Sequence, residues 1–178
     1  MNSEEERDGH PASRSPILAS KLTAPASVPR TLNRQRLIDR MDQELKKHPM
    51  LLLCAPAGFG KTALLQQWAE WAGTEPAWYT LDPGDNDPAR FWKYAIRAID
   101  RVRPGFGDRA DEVVGYMRPN GPDCIETVVT VLIDELRLCR EELVLVLDDC
   151  HAISDKALLS SISSFIENMP ANIRLIAA

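Results

Sequence analysis

Two hydrophobic patterns alternate along this chain. Short, largely apolar runs read as strands: Met50–Cys54, "AWYTLD" (Ala77–Asp82), "LVLVLDD" (Leu143–Asp149) and "IRLIAA" (Ile173–Ala178). Runs of this kind occur in parallel sheets whose faces are covered by helices. Between them, apolar residues recur at the three-and-four spacing of an amphipathic helix. Leu37, Ile38, Met41 and Leu45 mark a helix over 34–47, and Leu64, Leu65 and Trp68 mark one over Lys61–Trp71. Phe91, Ala95, Ala98, Ile99 and Val102 mark the next. Ile125, Val128, Val129, Leu132, Ile133 and Leu136 follow the same spacing despite their β-branched members. Leu158, Ile162, Phe165, Ile166 and Met169 mark the last helix. Strands alternating with helices imply right-handed crossovers and a mostly parallel sheet, so the expected class is α/β.

The segments without a period complete the outline. Residues 1–20 are rich in Glu, Ser and Pro and read as a disordered tail, leaving 21–178 as the domain. "KLTAPASVPRT" is a proline-punctuated connector, and "PGDND" after the second strand is turn chemistry. Pro104–Pro122 reads as a surface excursion with a short helix near Asp111–Met117. A chain of 178 residues suits one domain, and no internal repeat is visible.

Composition narrows the function. A formal charge of −5 lacks the basic footprint of a free-standing nucleic-acid binder. No apolar run reaches the length of a membrane span. The polar N-terminus has no positive-then-apolar leader, so the expected location is the cytoplasm. Cys54, Cys124, Cys139 and Cys150 lack metal-ligand spacing and read as reduced, mostly buried thiols. Trp68, Trp71 and Trp78 read as core, and Trp92 as core with partial exposure.

Candidate chemistry begins where the first strand ends. "APAGFGKT", Ala55–Thr62, fits the phosphate-loop pattern, with Ala55 where the strict motif has Gly. Successive N–H groups from Ala57 to Ala63 must curl round phosphate oxygens, and Gly58 and Gly60 permit the backbone angles and close approach this needs. Phe59 lies between them and contributes its own amide. The helix starting at Lys61 aims its N-terminus at the same anion. Lys61 brings a point charge to the β/γ-phosphates, and the Thr62 hydroxyl is a hard oxygen ligand for Mg²⁺. The second half is "LVLVLDDC", which puts Asp148 and Asp149 at the C-terminal end of a buried strand, the edge where open parallel sheets bind ligands. Asp148 is the candidate to hold Mg²⁺ through water, and Asp149 the candidate to orient or deprotonate the water attacking the γ-phosphate. Acidic pairs at strand ends also form ordinary turns. His151 has two readings: contact with phosphate or water, and a backbone bond that fixes the turn.

With these residues in place, the chain resembles the N-terminal nucleotide-binding domain of the MalT-like ATP-dependent transcriptional activators, LuxR-type regulators of the STAND class of NTPases. "KLTAP", "NRQRLIDRM", "APAGFGKTALLQQWA", "AWYTLDPGDNDPARFWKY" and "LVLDDCHAI" carry the resemblance, which runs from Lys21 to the C-terminus. It implies a three-layer P-loop NTPase fold and Mg-ATP as ligand. No Asn-Lys-x-Asp guanine signature is present. It also implies that Leu32 and Arg34, just before the first helix, cradle adenine. In the family the fourth strand runs into a Ser-Arg pair whose Arg senses the γ-phosphate; this chain stops at Ala178, where that pair would begin. It therefore reads as incomplete after the fourth strand, with slow hydrolysis, since such an Arg contributes about 10³-fold or more. The family's strand order would leave the phosphate-loop strand beside the fourth strand with its other edge unpaired, a place for self-association or a partner.

Three functions stay open on this reading. The first is a nucleotide switch with slow turnover, with ATP and ADP as ligands and DNA binding assigned to a different domain. The second is a module that binds nucleotide without catalysis. The third is a small-molecule kinase, disfavoured because "CHAISDKALLSSISSFIENM" offers no Arg for a lid.

Overall fold

The structure is a computed structural model that describes residues 17–26, 32–108 and 122–178. Strands β1 (Met50–Leu52), β2 (Ala77–Thr80), β3 (Leu143–Asp148) and β4 (Ile173–Ala177) form one all-parallel sheet in the order β1-β4-β3-β2. Helix α1 (Gln35–Lys47) precedes β1, and helices α2 (Lys61–Ala72), α3 (Pro88–Val102), α4 (Pro122–Leu138) and α5 (Lys156–Asn168) lie in the crossovers.

Side-chain alternation along the strands divides the core into two layers. Trp78, Val146, Ile176 and Leu51 stand in register across the sheet and pack against α1 and α2 through Ile38, Met41, Leu45, Leu64, Leu65 and Trp68. Their neighbours in sequence point the other way. Tyr79, Leu145, Leu147 and Leu175 join the apolar faces of α3, α4 and α5. The pattern of short apolar runs and helical stripes thus becomes a helix–sheet–helix sandwich, an α/β fold.

Several expectations change. β1 ends at Leu52 rather than Cys54, and Leu52 is exposed, because among the described residues β1 pairs only with β4 and stands at the sheet edge. Trp71 is exposed at the last turn of α2, whereas Trp92 is fully buried, with its indole donating to Ser161 Oγ at 3.0 Å and its ring packed on Phe165. Cys54 is exposed, and Cys139 and Cys150 are only partly covered. Residues 17–20, expected in the tail, are part of the fold: a 3₁₀ turn at Ala19–Leu22 lies against β2 and α3, and the Leu18 amide donates to the Tyr94 hydroxyl. Residues 1–16 and the expected helix at 111–117 lie outside the described residues.

A knot of buried charge fastens that turn. Asp85 is fully buried; its carboxylate accepts from Lys21 Nζ, from Arg90 Nε at 3.0 Å and from the Asp82 amide at 2.8 Å. The Lys21 ammonium also reaches Asp82 at 2.9 Å and lies over the stacked Tyr79 and Tyr94 rings.

Candidate functional site

The site forms at the C-terminal edge of the sheet, where β1 and β3 each release their chain. After β1 the chain turns through Ala55–Gly60 into α2. Gly58 and Gly60 have φ of 82° and 73°, in the left-handed region that a side chain disfavours. The turn closes through Phe59 N to Pro56 O at 3.3 Å, and α2 opens with Leu64 N bonding to Gly60 O at 3.0 Å. The open amides therefore lie at a helix N-terminus, where the dipole favours an anion. Lys61 folds its ammonium back to the Ala55 carbonyl at 3.2 Å, spanning the loop.

Thr62 and Asp148 meet across the sheet. The Thr62 hydroxyl donates to Asp148 Oδ2 at 2.8 Å, joining residues 86 positions apart. Asp148 Oδ1 accepts from the Asp149 amide at 3.1 Å, so both carboxylate oxygens are engaged. Asp148 is buried, and burial pushes its carboxyl above the usual range, opposed by the Thr62 hydrogen bond. Asp149 is half-exposed and sits at φ 61°, the one non-glycine in the left-handed region among the described residues. Such backbone costs of order 1–3 kcal/mol and persists only where its surroundings enforce it. His151 is exposed, its Nδ1 3.7 Å from Asp149 Oδ1.

Arg34 lies against the loop from outside. Its guanidinium donates to Phe59 O at 2.8 Å and Gly60 O at 3.5 Å, and a Cβ at Gly60 would meet it at 3.0 Å. Gln67 of α2 ties down the same segment, donating to Leu32 O at 3.0 Å and accepting from Arg34 N at 3.4 Å. Arg34 thus braces the loop through its carbonyls and takes none of the loop amides, of which that of Phe59 bonds to Pro56 O. Leu32 and Phe59 are exposed on either side of this brace along the chain. Ala57 and Ala63 lie within the loop and the first turn of α2.

Residues 43–177 match the family described as AAA domain. The chain belongs to that family. Over 161 residues it is also 34% identical to the HTH-type transcriptional regulator MalT of Cronobacter sakazakii (strain ATCC BAA-894). That alignment covers 90% of this chain and 17% of the relative's length. The chain is a MalT-like P-loop NTPase domain.

In this AAA domain, the local sequence pattern does not reveal the side chain that fixes the loop after β3. Asn86 accepts from the amides of Ser154 and Asp155 at 2.7 and 2.9 Å and donates to Ala152 O at 2.8 Å. The signal was present in "PGDND", which reads locally as a turn.

The Asp148 environment predicts a pH response. A carboxyl whose pKa is raised by folding stabilises the fold fully below its ordinary value, about 4, and that contribution is lost as pH rises through the raised value. Asp148→Asn removes the buried charge while the Thr62 hydroxyl can turn to accept from the new amide. In chelator, the variant is expected to melt above wild type at pH 7, with the gap closing towards pH 4. Thermal melts across that range check it, and a variant melting below wild type at pH 7 contradicts it.

Proposed function

We propose that this AAA domain binds Mg-ATP and hydrolyses it slowly, as the nucleotide-switch part of a transcriptional regulator. The observation that carries this reading is the Thr62–Asp148 hydrogen bond. It pairs a hydroxyl at the start of the phosphate-loop helix with a buried carboxylate at the end of β3, with β4 lying between β3 and the phosphate-loop strand, a hard oxygen pair that suits Mg²⁺. Loop amides 57–63 and Lys61 hold the phosphates, Thr62 and Asp148 hold the metal, and Asp149 orients the attacking water, with Lys61 stabilising developing charge. Bound Mg²⁺ supplies charge neutralisation between the phosphates. Arg34 and Leu32, held beside the loop, flank the adenine.

The regulator role rests on the likeness to the transcriptional regulator MalT, of whose length the alignment covers 17%. ATP and ADP are the ligands, in the cytoplasm. DNA contact is no part of the reading for an acidic chain. The exposed edge of β1 is a place for self-association or a partner strand. Among the described residues no helix is long and apolar enough to cross a membrane.

Calorimetric titration of Mg-ATP into the folded chain tests the proposal. One saturable site in the micromolar range is expected, about −8 kcal/mol. Asp148→Asn is expected to weaken the Mg²⁺-dependent part of that affinity about 10–100-fold. No heat from folded wild type overturns the reading. Phosphate release then separates a switch from a module that binds without turnover.

A further inference from the structure

We propose that Asn86 is a positioning residue for Asp149, acting by clamping the 150–155 turn. The inference rests on the reading of Asp149 as the residue that orients water. Its basis is a left-handed residue that needs an external brace and a side chain that supplies one.

The turn is pinned at both ends. At its start the Asp149 amide bonds to Asp148, and the Cys150 amide to Ala178 O at 2.7 Å. Inside it, Ala152 N bonds to Asp149 O at 3.0 Å and Ile153 N to Cys150 O at 3.1 Å. These bonds curl the chain tightly, and the curl places Asp149 at φ 61° and ψ 40°. At its far end the chain is held by Asn86. Oδ1 takes both the Ser154 and Asp155 amides, while Nδ2 donates to Ala152 O at 2.8 Å and Pro83 O at 3.0 Å. Both donors and both lone pairs of the amide are in use, which only Asn or Gln can provide, and Gln is one methylene too long for a fixed turn. Asp155, delivered by that grip, caps α5 through Leu158 N at 2.8 Å.

Asn86 is itself flanked by anchored residues. The residue before it is the buried Asp85, held by Lys21 and Arg90, and the residue after it caps α3 through Arg90 N at 2.7 Å. A rigid turn after β2 therefore sets the turn after β3. Without the clamp, the 150–155 segment can uncurl, Asp149 can leave the left-handed region, and its carboxylate moves away from the water. Lys61, Thr62 and Asp148 make no contact with Asn86 through these bonds, so nucleotide binding is left alone.

The test needs two readouts. In nucleotide-free wild type, amide hydrogen exchange is expected to show Ser154 and Asp155 protected although Ser154 is exposed. In Asn86→Ala both amides are expected to exchange about 10²-fold faster, with the Leu175 and Ile176 amides of the sheet unchanged. With Mg-ATP, Asn86→Ala is expected to lower kcat about 10–100-fold while the Kd stays within about twofold, since misplacement of a catalytic group taxes the rate and not the ground state. Asn86→Asp, which keeps the acceptor and loses the donors, is expected to fall between. Unprotected Ser154 and Asp155 in wild type overturn the clamp. Equal losses in Kd and kcat overturn the positioning role. If Asn86→Ala does not fold, wild-type exchange and Asn86→Asp decide by the same criteria. If wild type binds Mg-ATP and releases no phosphate, the hydrolysis reading and the water role fall together, while the exchange rates still decide the clamp.

Discussion

Lys61→Ala is expected to lose about a hundredfold or more in Mg-ATP affinity while melting within a degree or two of wild type. The ammonium stands at the first residue of α2 and bonds only the Ala55 carbonyl, at 3.2 Å, among its described partners. That solvent-exposed bond contributes about 1 kcal/mol or less to stability, and Ala is an excellent helix former in its place. Bound to a triphosphate, the same ammonium trades one neutral carbonyl for anionic oxygens, and hydrogen bonds to charged groups are worth about 1.5–3 kcal/mol each. A hundredfold corresponds to about 2.7 kcal/mol, within reach of one or two such bonds. Parallel calorimetry and thermal melts of wild type and variant separate the two effects. A variant that binds as tightly as wild type removes Lys61 from the site. A variant that loses binding and fold together shows that the loop depends on this lysine before any ligand arrives.

The parts of the site that were legible in the sequence share a property: each is written in one short segment. "GFGKT" needs only its own glycines and the helix it opens, and "LVLVLDD" only its own alternation and its end. The two-layer core was legible for the same reason, since strand and helix periods are local. What was not legible depends on residues brought together from afar. Lys21 meets Asp82 and Asp85 across 61 and 64 positions, and Asn86 meets the 152–155 turn across 66 to 69. Locally, Asp85 and Asn86 are turn formers like any others. Edge and interior strands also look alike until neighbours are known, so Leu52 reads as buried and is not. The tryptophans make the point twice. Trp92 lies beside Phe91, off the narrow stripe, yet α3 is enclosed by both the sheet and α5, which buries it. Trp71 continues an apolar helix past the point where a neighbour covers it. Arg34 carries the same lesson to the site: a charge at a helix start grips loop carbonyls that no local pattern pairs with it.

The charge knot at Asp85 yields the largest expected change in stability. Asp85→Ala is expected to destabilise the chain by about 3–5 kcal/mol, because it leaves two cations facing a buried cavity with their shared anion gone. For a chain of this size that is a fall in melting temperature of about 10 °C. Lys21, itself buried, would keep only Asp82, which is half-exposed and a weaker partner. The hydrogen bond from Lys21 holds the Asp82 carboxyl below its usual range. A carboxyl with a lowered folded pKa stabilises above its ordinary value and loses that contribution as pH falls through the folded one. In Asp85→Ala, Asp82 is the last carboxylate facing Lys21, so the variant should lose further stability as pH falls through the lowered Asp82 value. Lys21→Met tests whether the loss belongs to the pair. Adding it to Asp85→Ala is expected to recover part of the stability, with a coupling of about 1–3 kcal/mol in the double-mutant cycle. Urea unfolding of the four proteins measures it, and additive losses would mean that Asp85 acts through the Asp82 amide and Arg90 alone. Because Asn86 is the next residue, the same variants reach the site: relaxing the knot frees the turn that grips Ser154 and Asp155. Asp85→Ala should then speed exchange of those two amides even at temperatures where the sheet is intact, whereas a knot that only anchors residues 17–26 would leave them protected.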